Sequence, residues 1–165
     1  MLYFKLAWMC LVSICTAVFV YPTLHELGHL LAAVMAGAEV LDFSVFPVPY
    51  VSMTMNVAEP LHLAAIGLCG MIFPVLCSMM TPKHLTSSVV VYVVRLVNVY
   101  AWLLSCLAIV LDQIGLSWKN EDVLTVIHYL NGRELTIFSF CVAFLLFCIF
   151  FFVKDKPIRR ILSFF

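Results

Sequence analysis

Charge is scarce in this chain. Only 11% of its 165 residues are Asp, Glu, Lys or Arg, against about 25% in a soluble globular domain. So few polar groups cannot cover a water-soluble fold of this length, and that class is excluded. Nine basic residues are balanced by nine acidic ones. No basic surface is left to attract nucleic acid, and none is expected as a partner. Paired cysteine motifs are lacking too. Cys10, Cys15, Cys69, Cys77, Cys106, Cys141 and Cys148 lie inside apolar runs, none in a CxxC pair. They read as small hydrophobes packed between helices. The apolar stretch from Leu6 runs past Val20 without a small-residue cleavage site, so it reads as a retained segment rather than a leader. No internal repeat or low-complexity linker stands out.

What the chain does have is apolar sequence, 65% of its residues. Several runs approach the ~20 residues that cross a bilayer as a helix. The expected fold class is an all-α polytopic membrane protein, one membrane-embedded domain over residues 1–165. Four transmembrane helices are expected, over about residues 4–37, 61–80, 89–111 and 135–153. The first is too long for a ~30 Å hydrocarbon core at 1.5 Å per residue. It must tilt, kink or protrude, and Pro22 is the expected kink point.

Residues 38–60 break the pattern. Val40, Phe43, Val45, Phe46, Val48, Tyr50 and Val51 mix β-branched and aromatic side chains with Pro47 and Pro49. Ser52, Thr54 and Asn56 then alternate with Met53, Met55 and Val57, a period of two that marks a strand. Strands cannot face lipid with unpaired backbone groups. This β-like segment is therefore expected at the interface or folded back against the helices. In the second span, Gly67, Gly70 and Pro74 would let helices approach closely.

Four spans put Lys5, Lys83, Lys154, Lys156, Arg159 and Arg160 on one side of the membrane, against Lys119 and Arg133 on the other. Positively charged flanks stay inside, which predicts an integral, multi-pass protein with both termini in the cytoplasm. The basic tail, with Ile161, Leu162, Phe164 and Phe165, is suited to anionic membrane lipid.

The chemistry is concentrated in His25-Glu26-Leu27-Gly28-His29. Positions i and i+4 share one helix face, so both imidazoles can reach one metal ion. Glu26 beside them can move a proton to or from a water. Zinc suits imidazole nitrogens and tolerates an open coordination position. A chance HExxH is common in soluble helices. Inside an apolar span, ionisable residues are costly and mark function. Topology is consistent with this: the first and third spans run in the same direction, so residues late in the first and just after the third fall toward one face.

From His25 through Ala33, with Gly37 and Val40 beyond, the chain resembles the active-site helix of the site-2 protease family of intramembrane zinc metalloproteases. The resemblance continues through the β-like segment to Ala64–Pro74, which is similar to the family's small-residue second helix, and it covers roughly residues 10–140. It implies zinc as the cofactor, His25 and His29 as ligands, Glu26 as catalytic acid and base, and a transmembrane protein segment as substrate. The family takes its third ligand from an aspartate in an Asn-x-x-Pro…Leu-Asp-Gly motif, and here the sequence departs from the pattern. Asp112 follows Leu111, but Gln113 and Ile114 replace the glycine. Asp122 follows Asn120-Glu121 and opens Val123–Leu130, a short helix expected to end at Gly132. Asp122 is the preferred third ligand and Asp112 the alternative, with water, His128 or no third ligand as the remaining options. Asn98 is the candidate substrate-positioning residue, although it lies farther from either aspartate than the family's asparagine does. Its other reading is an interhelical hydrogen bond. Arg95 in the same span is expected to snorkel to the interface or pair with an acid.

The expected function is therefore intramembrane proteolysis. The divergent aspartate region keeps open a non-catalytic membrane protein that retains the fold. The histidines also admit a metal transporter, although transport would spread ligands over several spans.

Overall fold

In a computed structural model, residues 2–45, 49–54, 59–81, 84–116, 122–131, 133–154 and 156–164 are described. Among them are four helices long and apolar enough to cross a membrane: Leu2–Met35, Pro60–Ser78, Leu85–Gln113 and Glu134–Lys154. A helix closes its own backbone hydrogen bonds, which is what an apolar run must do in lipid. The protein is an all-α membrane protein with a small β-hairpin after the first span.

The first span comprises α1 (Leu2–Cys15), a π-helical turn (Thr16–Val20) and α2 (Tyr21–Met35). The irregularity expected at Pro22 falls in the turn just before it. The Tyr21 N–H bonds back to the Thr16 carbonyl across a widened turn. Pro22 has no N–H to continue the ladder, and a π turn absorbs that break without ending the helix. The Thr16 hydroxyl, in addition, donates to the Val12 carbonyl at 2.7 Å. Gly37, at φ +77°, then stops α2. Its left-handed backbone is the usual helix terminator, and it turns the chain into the hairpin.

Strands β1 (Glu39–Ser44) and β2 (Tyr50–Thr54) pair antiparallel, with Glu39 opposite Thr54 and Ser44 opposite Tyr50. A register shift between Val40 and Asp42 bends β1. The Asp42 carboxylate accepts the Phe43 N–H at 2.8 Å and the Tyr50 hydroxyl. Both strands pack on α2, so the segment folds back against the helices as expected. Phe46, Pro47, Val48, Met55, Asn56 and Val57 lie outside the described residues, as do Lys83, Lys119, Asn120, Glu121, Gly132 and Phe165.

Helix α3 (Pro60–Ser78) is the hub, contacted by α2, by α4 (Leu85–Gln113) and by α5 (Asp122–Tyr129). Helix α4 begins four residues before the apolar run. His84 caps it reciprocally with Ser87, which satisfies donors that the first turn leaves open. It continues through Asp112 to Gln113, and Gly115 at φ +81° follows its end. Helix α6 (Glu134–Lys154) packs on α4, and α7 (Pro157–Leu162) returns to bury Ile161 beside Val89 and Val93. The Lys5 ammonium donates to the Phe164 carbonyl at 2.7 Å, which brings the two ends of the chain together.

Glycines set the central spacings. A methyl group on Gly28 would strike the Cys69 carbonyl, and it would come within 2.8 Å of Phe73 Cβ. A methyl on Gly67 would meet Val126 of α5 at 2.8 Å. Close approach of two backbones through small residues is how helices gain contact in lipid, where apolar burial alone gives no advantage. The core around this crossing holds Met71, Val75, Trp102, Val123, Val126 and Cys141.

Gly28→Ala is predicted to force α2 and α3 apart at a cost of about 1–3 kcal/mol, the usual range for overpacking. A lowered unfolding temperature in detergent is the expected reading. A variant as stable as the parent would show that the crossing is looser than these contacts require.

Candidate metal centre

His25 and His29 stand one turn apart on α2, and their Nε2 atoms are 3.1 Å apart. Asp122, the first residue of α5, brings Oδ2 to 3.0 Å from His25 Nε2 and 3.5 Å from His29 Nε2. The three atoms converge on one point, and the group could hold a metal ion.

The placement of each ligand has a local cause. His29 Nδ1 lies 2.8 Å from the Ile66 carbonyl. A carbonyl only accepts, so Nδ1 carries the proton and donates it. That leaves the Nε2 lone pair facing His25 and Asp122, the arrangement by which an outer hydrogen bond fixes a ligand's tautomer. Gly70 makes room for the ring, since a Cβ there would overlap the imidazole, coming within 2.8 Å of Cδ2. Asp122 is delivered by α5, which buries Val123, Val126 and Ile127 against the core and seats Val126 over Gly67. An acid in the first turn also suits the helix dipole. Burial alone would raise the Asp122 carboxyl, but when the two imidazoles are protonated their hydrogen bonds and charge outweigh that and hold it well below the usual carboxylate range; with the rings neutral that support is absent.

The donor set fits a metal on its chemistry. Two imidazole lone pairs 3.1 Å apart repel unless a proton or a cation lies between them. A tetrahedral ion with bonds of ~2.0–2.1 Å holds its ligand atoms ~3.3 Å apart. The observed separations of 3.1, 3.0 and 3.5 Å bracket that value. Two nitrogens and one carboxylate oxygen suit a first-row divalent ion with an open position.

Glu26 is 8% exposed and stands beside His25 on α2. It opens onto a cavity of about 340 Å³ shared with Tyr21, His25, Pro49, Ser105 and Asp122. Met71 and Leu104 make its walls largely apolar. Pro49 brings the edge of the hairpin into this space.

The remaining candidates are elsewhere. Asp112 stays in the last turn of α4 and is not part of the metal group. His128 is exposed on α5. Asn98 does not line this cavity. It is 1% exposed in a smaller space among Ser78, Arg95, Phe147, Cys148 and Phe151. Asn98 lies about two turns along α4 from Ser105, which does line the metal-group cavity. Arg95 is buried, donating its Nε–H to the Ser78 carbonyl at 2.8 Å rather than snorkelling outward. Sequence reasoning missed the Ile66 carbonyl, Tyr21 and Ser105. Tyr21 could have been found, since it precedes His25 by four residues on the same face. The other two carried no signal of their own.

Gly70→Ala is predicted to displace the His29 ring and weaken metal binding about 10–100-fold, the range for loss of an outer-shell contact. Asp122→Ala should weaken it at least as much, whereas Asp112→Ala should leave it unchanged. Metal titration of the purified variants measures all three, and a loss confined to Asp112→Ala would reverse the ligand assignment. The chain matches no protein-family model, no curated protein and no solved structure, so the reading of this centre rests on its own geometry.

Proposed function

We propose that the protein is an intramembrane zinc metalloprotease of the site-2 type, hydrolysing a peptide bond in a transmembrane or membrane-adjacent segment. The observation that carries this reading is the convergence of His25, His29 and Asp122 beside the buried Glu26 on an apolar-walled cavity.

In this reading His25, His29 and Asp122 hold the ion. When bound, zinc acts as a Lewis acid that polarises a carbonyl and makes water more acidic. Glu26 takes the proton of the attacking water and returns it to the leaving amine. Its neighbour His25 fixes its position relative to the ligands, since both belong to one turn of α2. Met71 and Leu104 exclude bulk water and receive apolar side chains of a membrane segment. The hairpin adjoins the same cavity through Pro49, so an unwound substrate can add to it as a further strand.

For orientation, the chain ends, α7 and the start of α4 gather at one end of the bundle. Lys5, Lys154, Lys156 and Arg159 fall with them. With positive flanks inside, both termini face the cytoplasm, and the basic tail rests on anionic lipid headgroups.

Wild type and Glu26→Gln, purified in detergent and compared for zinc content and for cleavage of a model transmembrane substrate, test the reading. Glu26→Gln should lose about 10²–10⁴-fold in rate, the worth of a general base, while keeping its zinc. Equal cleavage by both forms, or no zinc in either, would rule the reading out. A proline at Val51, within β2, should reduce cleavage with zinc unchanged. Undiminished cleavage would remove strand addition.

A further inference from the structure

Tyrosine in a membrane span usually sits at the interface, where its hydroxyl reaches headgroups and water. Tyr21 does not. It lies well inside the first span, Leu2–Met35, and its hydroxyl is buried with no hydrogen-bond partner among the described residues. A buried hydroxyl left unpaired costs stability. Phenylalanine would fill the same space without that cost, so packing alone does not account for the oxygen.

Its surroundings supply a reason. Tyr21 precedes His25 by one turn of α2, and the two rings stack with centroids 6.4 Å apart and planes 25° apart. It borders the metal cavity together with His25, Glu26 and Asp122. Its phenol is close enough to the Asp122 carboxylate and to Cys148 to interact electrostatically with both. The described lining of this cavity is rich in acceptors and poor in donors. Glu26 and Asp122 offer carboxylate oxygens, and Pro22 and Pro49 have no N–H. His25 turns its Nε2 to the metal group. The Ser105 hydroxyl is given to the Met71 sulfur at 3.6 Å. Of the two hydroxyls on the cavity, that of Tyr21 is the uncommitted one. Nothing ties it in place, so the ring can turn towards a seated peptide without breaking a hydrogen bond.

A peptide attacked in this cavity needs such a donor. Negative charge develops on its carbonyl oxygen, in apolar surroundings and near two carboxylates. A donor aimed at that oxygen stabilises the charge where water cannot. A neutral phenol does so without bringing a charge of its own.

We propose that Tyr21 is a further catalytic residue, whose hydroxyl donates a hydrogen bond to the carbonyl oxygen of the peptide bond being hydrolysed. The assignment rests on the protease reading. The phenol keeps its proton throughout, and proton transfer stays with Glu26. The hydrogen bond strengthens as charge builds on the oxygen, so it acts on the rate more than on binding.

Tyr21→Phe removes the oxygen and nothing else. Purified in detergent, it should unfold at the same temperature as wild type or higher, metal-free as well as zinc-loaded, because it deletes an unpaired polar group. Zinc affinity should not change. On a model transmembrane substrate kcat should fall about 10²-fold, the worth of one donor to a developing oxyanion, with KM little altered. A metal-free variant less stable than wild type would show that the hydroxyl has a structural partner, and the assignment would fall. An unaltered kcat would overturn it as well. A change in KM alone would place the hydroxyl on resting substrate instead of the reacting carbonyl, and would also defeat it. Each of these outcomes leaves the protease reading standing. A wild type without Glu26-dependent cleavage would remove that reading and this assignment together.

Discussion

The contact between the Asp122 carboxylate and the two imidazoles of α2 is what the rest of the packing serves. Asp122 lies far from His25 in sequence, on a short helix that is not itself a membrane span. It reaches the histidines only because α5 docks against α3 with Val126 over Gly67. Helix α2 in turn lies against α3 through Gly28, and α3 accommodates the His29 ring at Gly70. Three glycines at two crossings thus determine whether three ligand atoms meet. In lipid this dependence on close fit is acute, since helix association draws little on the hydrophobic effect.

Much of this was legible in the residues. The four spans follow from hydropathy, and the hairpin follows from β-branched alternation between prolines. Both His25 and His29 are identified by their spacing, and Glu26 by its place between them. Asp122 opens a helical pattern that Asp112 does not, and it is the aspartate that converges on the histidines. The features that escaped reading are those in which the partner is backbone or distant side chain. No residue type announces that the Ile66 carbonyl holds the His29 tautomer. Pro22 signalled a defect, but where the ladder yields is decided by the turn before it. Asn98 was visible as a polar residue in a span, yet which cavity it enters depends on the rotation of α4 against α3 and α6. Its separation from either aspartate can be counted in the sequence, but that count does not say which cavity it enters.

The same helix explains why polar groups survive inside this bundle at all. Arg95 is buried at 4% exposure, a costly place for a guanidinium. Its Nε–H donates to the Ser78 carbonyl, at the end of α3. The last carbonyls of a helix lack intrahelical donors and carry the negative end of the dipole. One side chain therefore satisfies an acceptor and finds part of its counter-charge, and the Phe151 ring face at 5.6 Å adds to that.

Charge balance at the centre leads to the nature of the ion. Two neutral imidazoles contribute no charge, and Glu26 and Asp122 contribute a carboxylate each. Both belong to one cavity whose walls are mostly apolar. Two like charges in such surroundings repel strongly and are poorly solvated. Protonating the histidines would offset them, but a ring protonated at Nε2 has no lone pair left for an ion. A divalent cation held by those nitrogens and Oδ2 would balance the two carboxylates. A monovalent ion would leave a net negative charge buried, and a trivalent one a net positive charge. The pairing of two imidazoles with two carboxylates, only one of them in the convergent group, is thus a set of charges that a divalent metal would balance.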